Sequence, residues 1–487
     1  MNKFLSIDQG TTSSRAVLFD ANLTPLNSYQ KEYGLNYPHS GWVELDPKDV
    51  LSTVKESIEN ILGEVGETDI KSCGITNQRE TTIVWEKLSG KPIYPGIVWQ
   101  DRRTADYCEE LRQKGSEDAV KDKTGLLLDP YFSATKIKWI LDNVPGALSK
   151  AENGELLYGT IDSYLIYNLT KEKNHLTDIT NASRTLLYNI KEETWDQELL
   201  DLFGIPKEML PDVYDCDADF GTLIYGNHPI KINGVIGDQQ SALVGQRCFK
   251  SGQMKSTFGT GCFLMVNTAE EVLKVKQGLL TTVGYKIDGQ ISYAVEGSIY
   301  SCGNIVNWLR DRMKFFDKAY ESEKMILSSD DNDSNILFLP AFNGLGAPYW
   351  NSSVRGGFHG ITQDTTREEM VTAAFESICF QVLDIIKILE DYKISSDELR
   401  VDGGMIANNV FCQLLSDTLN KEIVSPKNIE STALGACIVA MIGSGAIKDF
   451  NDININIEKS FQSSIATNTK LLKKYDKWKR YINNSLS

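Results

Sequence analysis

A strand, a polar turn and a returning strand occur twice in this chain, once at its start and once just past its middle. Residues 4–7 read as a short strand, Asp8-Gln-Gly-Thr-Thr-Ser-Ser14 as a turn, and residues 15–19 as the strand back. Residues 254–266 repeat the pattern around Phe258-Gly-Thr-Gly261. Self-similarity at about half the chain length points to two related halves rather than one core grown large. The length of 487 residues agrees, because single cores stop growing near roughly 250–300 residues. The halves divide near residue 247, which predicts domains 1–247 and 248–487, with a polar tail from about 452 that is rich in Asn, Ser and Lys and ends in a polar helix.

Both halves alternate strands and helices, so the fold class is α/β. Asp46-Pro47 opens an amphipathic helix, with Pro at the first helical position. A strand over 70–76 leads into Asn77-Gln-Arg-Glu80, a second strand runs through Trp85, a helix covers 102–114, and 177–190 reads as a hairpin. The strand 231–236 stops at Gly237-Asp-Gln-Gln240, and a helix begins at Ser241. In the second half, a strand over 293–296 precedes Gly297 and a helix through Trp308. Met370, Ala374, Ile378, Val382, Ile385 and Leu389 form one apolar stripe, which predicts a helix of about 25 residues. A strand over 399–402 ends at Gly403-Gly404, with helices from Asn408 and over 431–443, the latter built of small residues that permit close packing.

The formal charge of −16 repels nucleic acid and anionic lipid, so neither is an expected partner. It also means that a nucleotide site needs help from Mg²⁺, Arg or backbone N–H groups. Nine cysteines without a C-x-x-C read as reduced, buried thiols of a cytoplasmic protein. No segment is long and apolar enough to span a membrane, and the first residues read as a strand rather than a signal peptide. His39, His175, His228 and His359 stand alone, which favours satisfied structural histidines over metal ligands or bases. Gly90-Lys91 is followed by Pro92, so the phosphate loop of P-loop enzymes is absent, and neither a G-x-G-x-x-G after a strand nor a G-x-S-x-G occurs.

Another phosphate device is present. Gly10 permits a tight turn, and the N–H groups and hydroxyls of Thr11, Thr12 and Ser13 can ring phosphate oxygens. Asp8 can hold Mg²⁺ through water, and Arg15 adds positive charge. An ordinary polar hairpin fits this stretch about as well. Phe258-Gly-Thr-Gly261 is the same device from the other half, and on its own it is more readily a plain hairpin. Arg79-Glu80 suits a polyol, since Arg donates to hydroxyl oxygens and Glu accepts from hydroxyls; a surface ion pair is the commoner outcome for such a dipeptide. Asp238 stands where a strand ends and a helix begins, the position at which ligands bind in α/β sheets, although a lone Asp there usually caps the helix. Gly403-Gly404 with Asn408 offers bare backbone to a flat base, and equally fits a tight turn.

Taken together, Asp8-Gln-Gly-Thr-Thr-Ser-Ser-Arg15, Gly74-Ile-Thr-Asn-Gln-Arg-Glu-Thr81, Ile97-Val-Trp-Gln100, Asp129-Pro-Tyr-Phe132, Asn181-Ala-Ser-Arg184, Gly237-Asp-Gln-Gln240, Gly259-Thr-Gly-Cys-Phe263 and Val401-Asp-Gly-Gly404 resemble the glycerol kinases of the FGGY carbohydrate kinase family. The matches run in order from residue 4 to about 445. The resemblance implies a two-domain actin-like ATPase fold, made of ribonuclease H-like halves with a cleft between them. It implies ATP-dependent phosphorylation of glycerol to sn-glycerol 3-phosphate, with Asp238 as catalytic base. By the same resemblance Arg79, Glu80, Tyr131, Asp238 and Gln239 bind glycerol, with Trp99 and Phe263 as its apolar wall. Thr11, Thr12, Ser13, Arg15 and Thr260 match phosphate contacts; Gly303, Asn307, Gly404 and Asn408 match the nucleoside side; and Asp8 and Asp238 lie near the metal. Family members often carry Gln where Asn307 stands, one methylene longer. A basic loop used by some members to bind a sugar bisphosphate is not evident before Ile230, and His228 is displaced from the histidine that others present for phosphorylation. The expected partners are ATP and glycerol, in a cytoplasmic homo-oligomer of two or four copies. The competing readings are a sister kinase for another small polyol or ketose and, from another class, an actin-like filament or chaperone ATPase.

Overall fold

The computed structural model describes residues 2–65, 70–225, 228–329, 334–351, 353–426, 430–450, 453 and 457–486. The first half is built on β1 (Lys3–Gln9), β2 (Ser13–Asp20), β3 (Pro25–Glu32), α1 (Pro47–Val65), β4 (Ile70–Asn77), β5 (Thr222–Tyr225), β6 (His228–Gly237) and α2 (Asp238–Gly245). Its six-stranded sheet has the order β5-β6-β4-β1-β2-β3. β1 runs antiparallel to β2 with Asp8 opposite Arg15, and β4 is parallel to both β1 and β6. Gln9 lies beside Asn77, and Asn77 beside Gly237. Three parallel strands therefore end at one edge, where a ligand site is expected in such sheets.

The second half uses β7 (Met254–Phe258), β8 (Cys262–Ala269), β9 (Leu280–Ile287), β10 (Gln290–Ile299), α3 (Gly303–Asp311), α4 (Arg367–Asp391), β11 (Glu398–Asp402), α5 (Asn409–Leu419), β12 (Glu422–Pro426), α6 (Ser431–Gly443), β13 (Ile457–Phe461) and α7 (Ile465–Leu486). Its seven-stranded order is β9-β10-β8-β7-β11-β12-β13, with β11 parallel to both β7 and β12. β7, β8, β10, β11 and β12 thus repeat the pairing of β1, β2, β3, β4 and β6, and α4 and α6 stand where α1 and α2 do.

The halves are not simply juxtaposed. α6 lies against α2 and against the first sheet, and Ile236 and Val244 share a core with Ala436, Ile438 and Val439. Helix backbones meet there: a Cβ on Gly435 would sit 1.9 Å from the Ser241 carbonyl oxygen, so only glycine fits. All nine cysteines are free and buried. Among the described residues no helix is long and apolar enough to cross a membrane.

Four local expectations change. Residues 177–190 are not a hairpin: Asp178 accepts the N–H groups of Thr180 and Asn181 and starts the short helix Ile179–Ala182. A carboxylate that caps orphan helix donors overrides strand-like alternation. Asp238 is not a cap; Gly237 holds that place, and Asp238 is the first helical residue. Gly297 lies inside β10 rather than after it. The tail from about 452 is less peripheral than its composition suggests, since β13 joins the second sheet and α7 buries Leu471, Tyr475, Trp478 and Ile482. Those four share one helical face, a stripe diluted by the charged residues between them. Residues 226–227 and the His228 side chain, which bear on the regulatory loop and histidine, lie outside the described residues.

Candidate active site

The first wall of the cleft comes from the ends of β1, β4 and β6. In the β1–β2 turn the Gly10 N–H donates to Ser13 O at 2.9 Å. The Tyr33 hydroxyl donates to Gly10 O at 2.6 Å and accepts from Gln9 Nε2 at 2.7 Å and Gln78 Nε2 at 3.0 Å. One hydroxyl thus ties the polar turn to the residue before Arg79. Trp99 Nε1 donates to Thr11 Oγ1 at 3.0 Å. After β4 the backbone turns sharply, and Glu80 sits at φ 61°. A left-handed, fully buried glutamate is costly and persists only where its surroundings fix it.

The opposite wall is the Gly259-Thr260-Gly261 turn of the second half. The Gly303 N–H donates to Gly259 O at 2.9 Å, and a Cβ on Gly303 would fall 2.5 Å from that oxygen. Between the walls lies a cavity of about 370 Å³. Thr11, Thr12, Arg79, Glu80, Trp99, Tyr131, Asp238, Gln239, Thr260 and Phe263 all line it, together with Leu35, Tyr37, Gln100 and Thr257. Trp99 meets Tyr131 edge-on at 5.6 Å and Phe263 at 6.1 Å, giving an apolar side.

The polar side is ionic. Arg79 Nε lies 3.1 Å from Asp238 Oδ1 and 3.9 Å from Glu80 Oε1, and its Nη1 lies 2.6 Å from Glu296 Oε2. Arg184 joins Glu80 at 2.6 Å and Glu296 at 2.9 Å. Burial raises the Asp238 carboxyl above its ordinary range, against the opposing charges of Arg79 and Lys255. Burial also raises Glu80, opposed by Arg79 and Arg184. Burial pushes Glu296 up too, but the guanidiniums of Arg184 and Arg79 win and hold it down to about 2. Lys255 Nζ donates to Gln239 Oε1 at 2.6 Å and Thr257 Oγ1 at 2.9 Å, and burial lowers its pKa.

Other expected residues stand back from this cavity. Asp8 is at the end of β1, and burial, against the charge of Arg15, raises its carboxyl to about 7. Ser13 begins β2. Arg15 pairs with Glu430 and donates to Gln30 through Nε at 3.0 Å. Asn307 is exposed on α3, and Gly404 has open space where a Cβ would be. Asn408 caps α5 by accepting the Phe411 N–H at 2.8 Å and donates to Ser322 at 3.1 Å. Sequence reasoning does not find Glu296 and Lys255 as site residues, and it reaches Arg184 and Gln240 only as parts of motifs. The available signal is a charged residue within a strand segment: Glu296 after Ala294-Val295, and Lys255 after Met254.

A larger depression of about 550 Å³ lies between Asp384, Lys387 and Lys479. Its buried carboxylate is already saturated, by Tyr475 Oη and Lys479 Nζ at 2.6 Å each and by Tyr349. It offers no convergent free groups of the kind that the cleft holds.

Residues 3–245 match the FGGY family of carbohydrate kinases, N-terminal domain, and residues 254–444 match its C-terminal domain. The chain is 48% identical over 470 residues to glycerol kinase 1 of Pseudomonas aeruginosa, covering 95% of this chain and 94% of that protein. It is 47% identical to the glycerol kinase of Bacillus subtilis over the same shares of each chain. Among solved structures it is similar to Plasmodium falciparum glycerol kinase with ADP, at 35% identity and a TM-score of 0.92, covering 100% of this chain and 99% of that one. A gluconate kinase from Lactobacillus acidophilus has the same fold at 23% identity and a TM-score of 0.90, covering 100% and 98%.

Proposed function

This chain belongs to the FGGY family of carbohydrate kinases, and on that premise we propose that it transfers the γ-phosphoryl group of ATP to a terminal hydroxyl of glycerol, giving sn-glycerol 3-phosphate and ADP. The observation that carries this reading is Asp238, 3.1 Å from Arg79, in a cavity whose far wall is the Thr260 turn of the other half.

Glycerol lies with its hydroxyls among Arg79, Glu80, Tyr131 and Gln239 and its carbon edge on Trp99 and Phe263. Asp238 Oδ1 is taken up by Arg79 and by the Gln239 N–H at 2.7 Å, which leaves Oδ2 to receive the substrate proton. As the glycerol oxygen bonds to the γ-phosphorus, its proton passes to Oδ2. The bond from that phosphorus to the bridging oxygen breaks, and its electron pair leaves on ADP. A carboxylate whose pKa is raised is a stronger base than an exposed one. Thr11, Thr12, Ser13 and Thr260 supply N–H and hydroxyl donors to the phosphates, and Gly303, Asn307, Gly404 and Asn408 border the nucleoside. Arg15 contributes once it releases Glu430. Catalysis comes mostly from position and charge, as is general for phosphoryl transfer.

Asp8 and Asp238 are the residues that would hold Mg²⁺, since carboxylate oxygens suit a hard cation. The donor set fits: Asp8 and Asp238 offer carboxylate oxygens near enough to each other for the charge of Asp238 to raise the Asp8 carboxyl, alongside burial and against the charge of Arg15. When bound, Mg²⁺ neutralises phosphate charge. The free, buried cysteines support a cytoplasmic home; a homo-oligomer of two or four copies, with the first domain ending near residue 247, completes the proposal.

The test is ATP turnover with and without glycerol, with the product identified and a panel of pentuloses and larger polyols beside it. Glycerol-independent turnover, or preference for a larger sugar, would overturn the assignment.

A further inference from the structure

We propose that Glu296, from the second half, is a positioning residue for polyol binding: by gripping Arg79 and Arg184 it sets the angle of the guanidinium that meets the polyol. The inference rests on the polyol-kinase reading of the cleft and goes beyond it, because it makes the substrate pocket of the first half depend on a strand of the second.

Glu296 lies in the middle of β10, paired with Met265 of β8 and Leu280 of β9, and is fully buried. A carboxylate in such a place is expensive unless every lone pair is used. Here they are used. Oε2 takes Arg79 Nη1 at 2.6 Å, and Oε1 takes Arg184 Nη2 at 2.9 Å, the Ser298 hydroxyl at 2.9 Å and Arg79 Nη2 at 3.4 Å.

The geometry of arginine turns this grip into aim. The guanidinium is flat and rigid, so fixing one edge fixes the other. Glu296 and Gln240, the latter at 3.2 Å, hold the Nη1 edge, which leaves Nε turned toward Asp238. Glu296 reaches the second polyol residue as well, since Arg184 links it to Glu80, the residue in left-handed backbone. Arg79, Glu296, Arg184 and Glu80 thus close a ring of alternating charge under the cavity floor. The isolated first half could not build it.

Glu296→Gln tests this, since it keeps the shape and removes the charge. The glycerol KM should rise on the order of tenfold, the loss expected for one charged hydrogen bond, with the ATP KM within about twofold. Glu296→Asp, which keeps the charge on a shorter arm, should recover part of the difference. Ser298→Ala removes only the hydroxyl that steadies Oε1 and should raise the glycerol KM about twofold with little change in melting temperature. A folded Glu296→Gln protein with an unchanged glycerol KM overturns the proposal. So does a parallel rise in both KM values, the mark of general loosening. If Glu296→Gln does not fold, Ser298→Ala decides: a selective rise in glycerol KM supports the role, and none overturns it. Wild type assayed alongside separates the two layers. No glycerol-dependent turnover there sinks the kinase reading and this role with it, whereas an active wild type beside an unaffected variant sinks only the role of Glu296.

Discussion

The two sheets share a strand order and differ in what their loops carry. At the edge of the first, side chains do the work: Arg79 and Glu80 are charged and buried, and Arg79 ties Glu80 to the partly exposed Asp238. At the edge of the second, backbone does: Gly259, Thr260 and Gly261 form a bare turn, held from below by the Gly303 N–H. Duplication of a fold fixes where chain ends converge but not which chemistry they present. The charged wall suits a neutral substrate that offers hydroxyls as donors and acceptors. The bare wall suits an anion, which takes hydrogen bonds from N–H groups and is repelled by carboxylates. In an acidic chain this division keeps the carboxylates on the polyol side of the cleft, with Asp8 and Asp238 where the metal is proposed.

Substitutions should break that division unevenly. The largest effect belongs to the charged wall. Asp238→Asn should lower kcat by roughly 10²–10⁴-fold, the usual worth of a general base, with the glycerol KM nearly unchanged. Steady-state ADP release measures it, and near-normal turnover would remove Asp238 as the base. Next comes the bare wall. Gly303→Val drives side-chain atoms into Gly259 O, since even a Cβ at that position would stand only 2.5 Å away. It should raise the ATP KM about ten- to a hundredfold while leaving glycerol alone. An equal rise in both would mean that the walls are not separable.

A smaller effect is graded by pH. Asp238 must be ionised to accept a proton, and its folded pKa is raised from 3.8, so the acid limb of kcat/KM should lie above that of an ordinary carboxylate. Below that point the rate should fall about tenfold per pH unit. The buried ring has an acid limit of its own. Glu296, held down to about 2 from an unfolded value of 4.5, contributes stability fully present above 4.5 and lost as pH falls toward 2. Activity and this contribution to stability therefore answer to different carboxylates, Asp238 and Glu296, which parallel pH–rate and thermal-melt profiles would show as two separate acid limits. The smallest effect is on the nucleoside side, where Asn307→Gln adds one methylene to an exposed side chain. The ATP KM should fall by no more than about threefold, the worth of one solvent-exposed hydrogen bond.

Much of the cleft is legible in the sequence because its parts sit at chain punctuation. Gly10, Gly237 and Gly259 mark strand ends, and the polar residues beside them stand out against apolar strands. What escapes is chemistry reached through tertiary structure. Glu296 gains its meaning from two arginines far away in sequence, and no local spacing foretells that meeting. Residues 177–190 mislead because a capping carboxylate bends an alternating stretch into a helix. The face of α7 is hidden by the lysines and asparagines that surround Trp478. In each case a local pattern competes with a partner that only the folded chain supplies.

The placement of α6 against the first sheet has a consequence for biosynthesis. The patch of that sheet and of α2 that α6 covers is complete once Gly245 has been made, yet its cover ends at Gly443, about 200 residues later. At about 5–20 residues per second, a ribosome needs roughly 10–40 s to supply it. During that interval the nascent first half lacks the cover that α6 later gives to Gly74, Gly234 and Gly245.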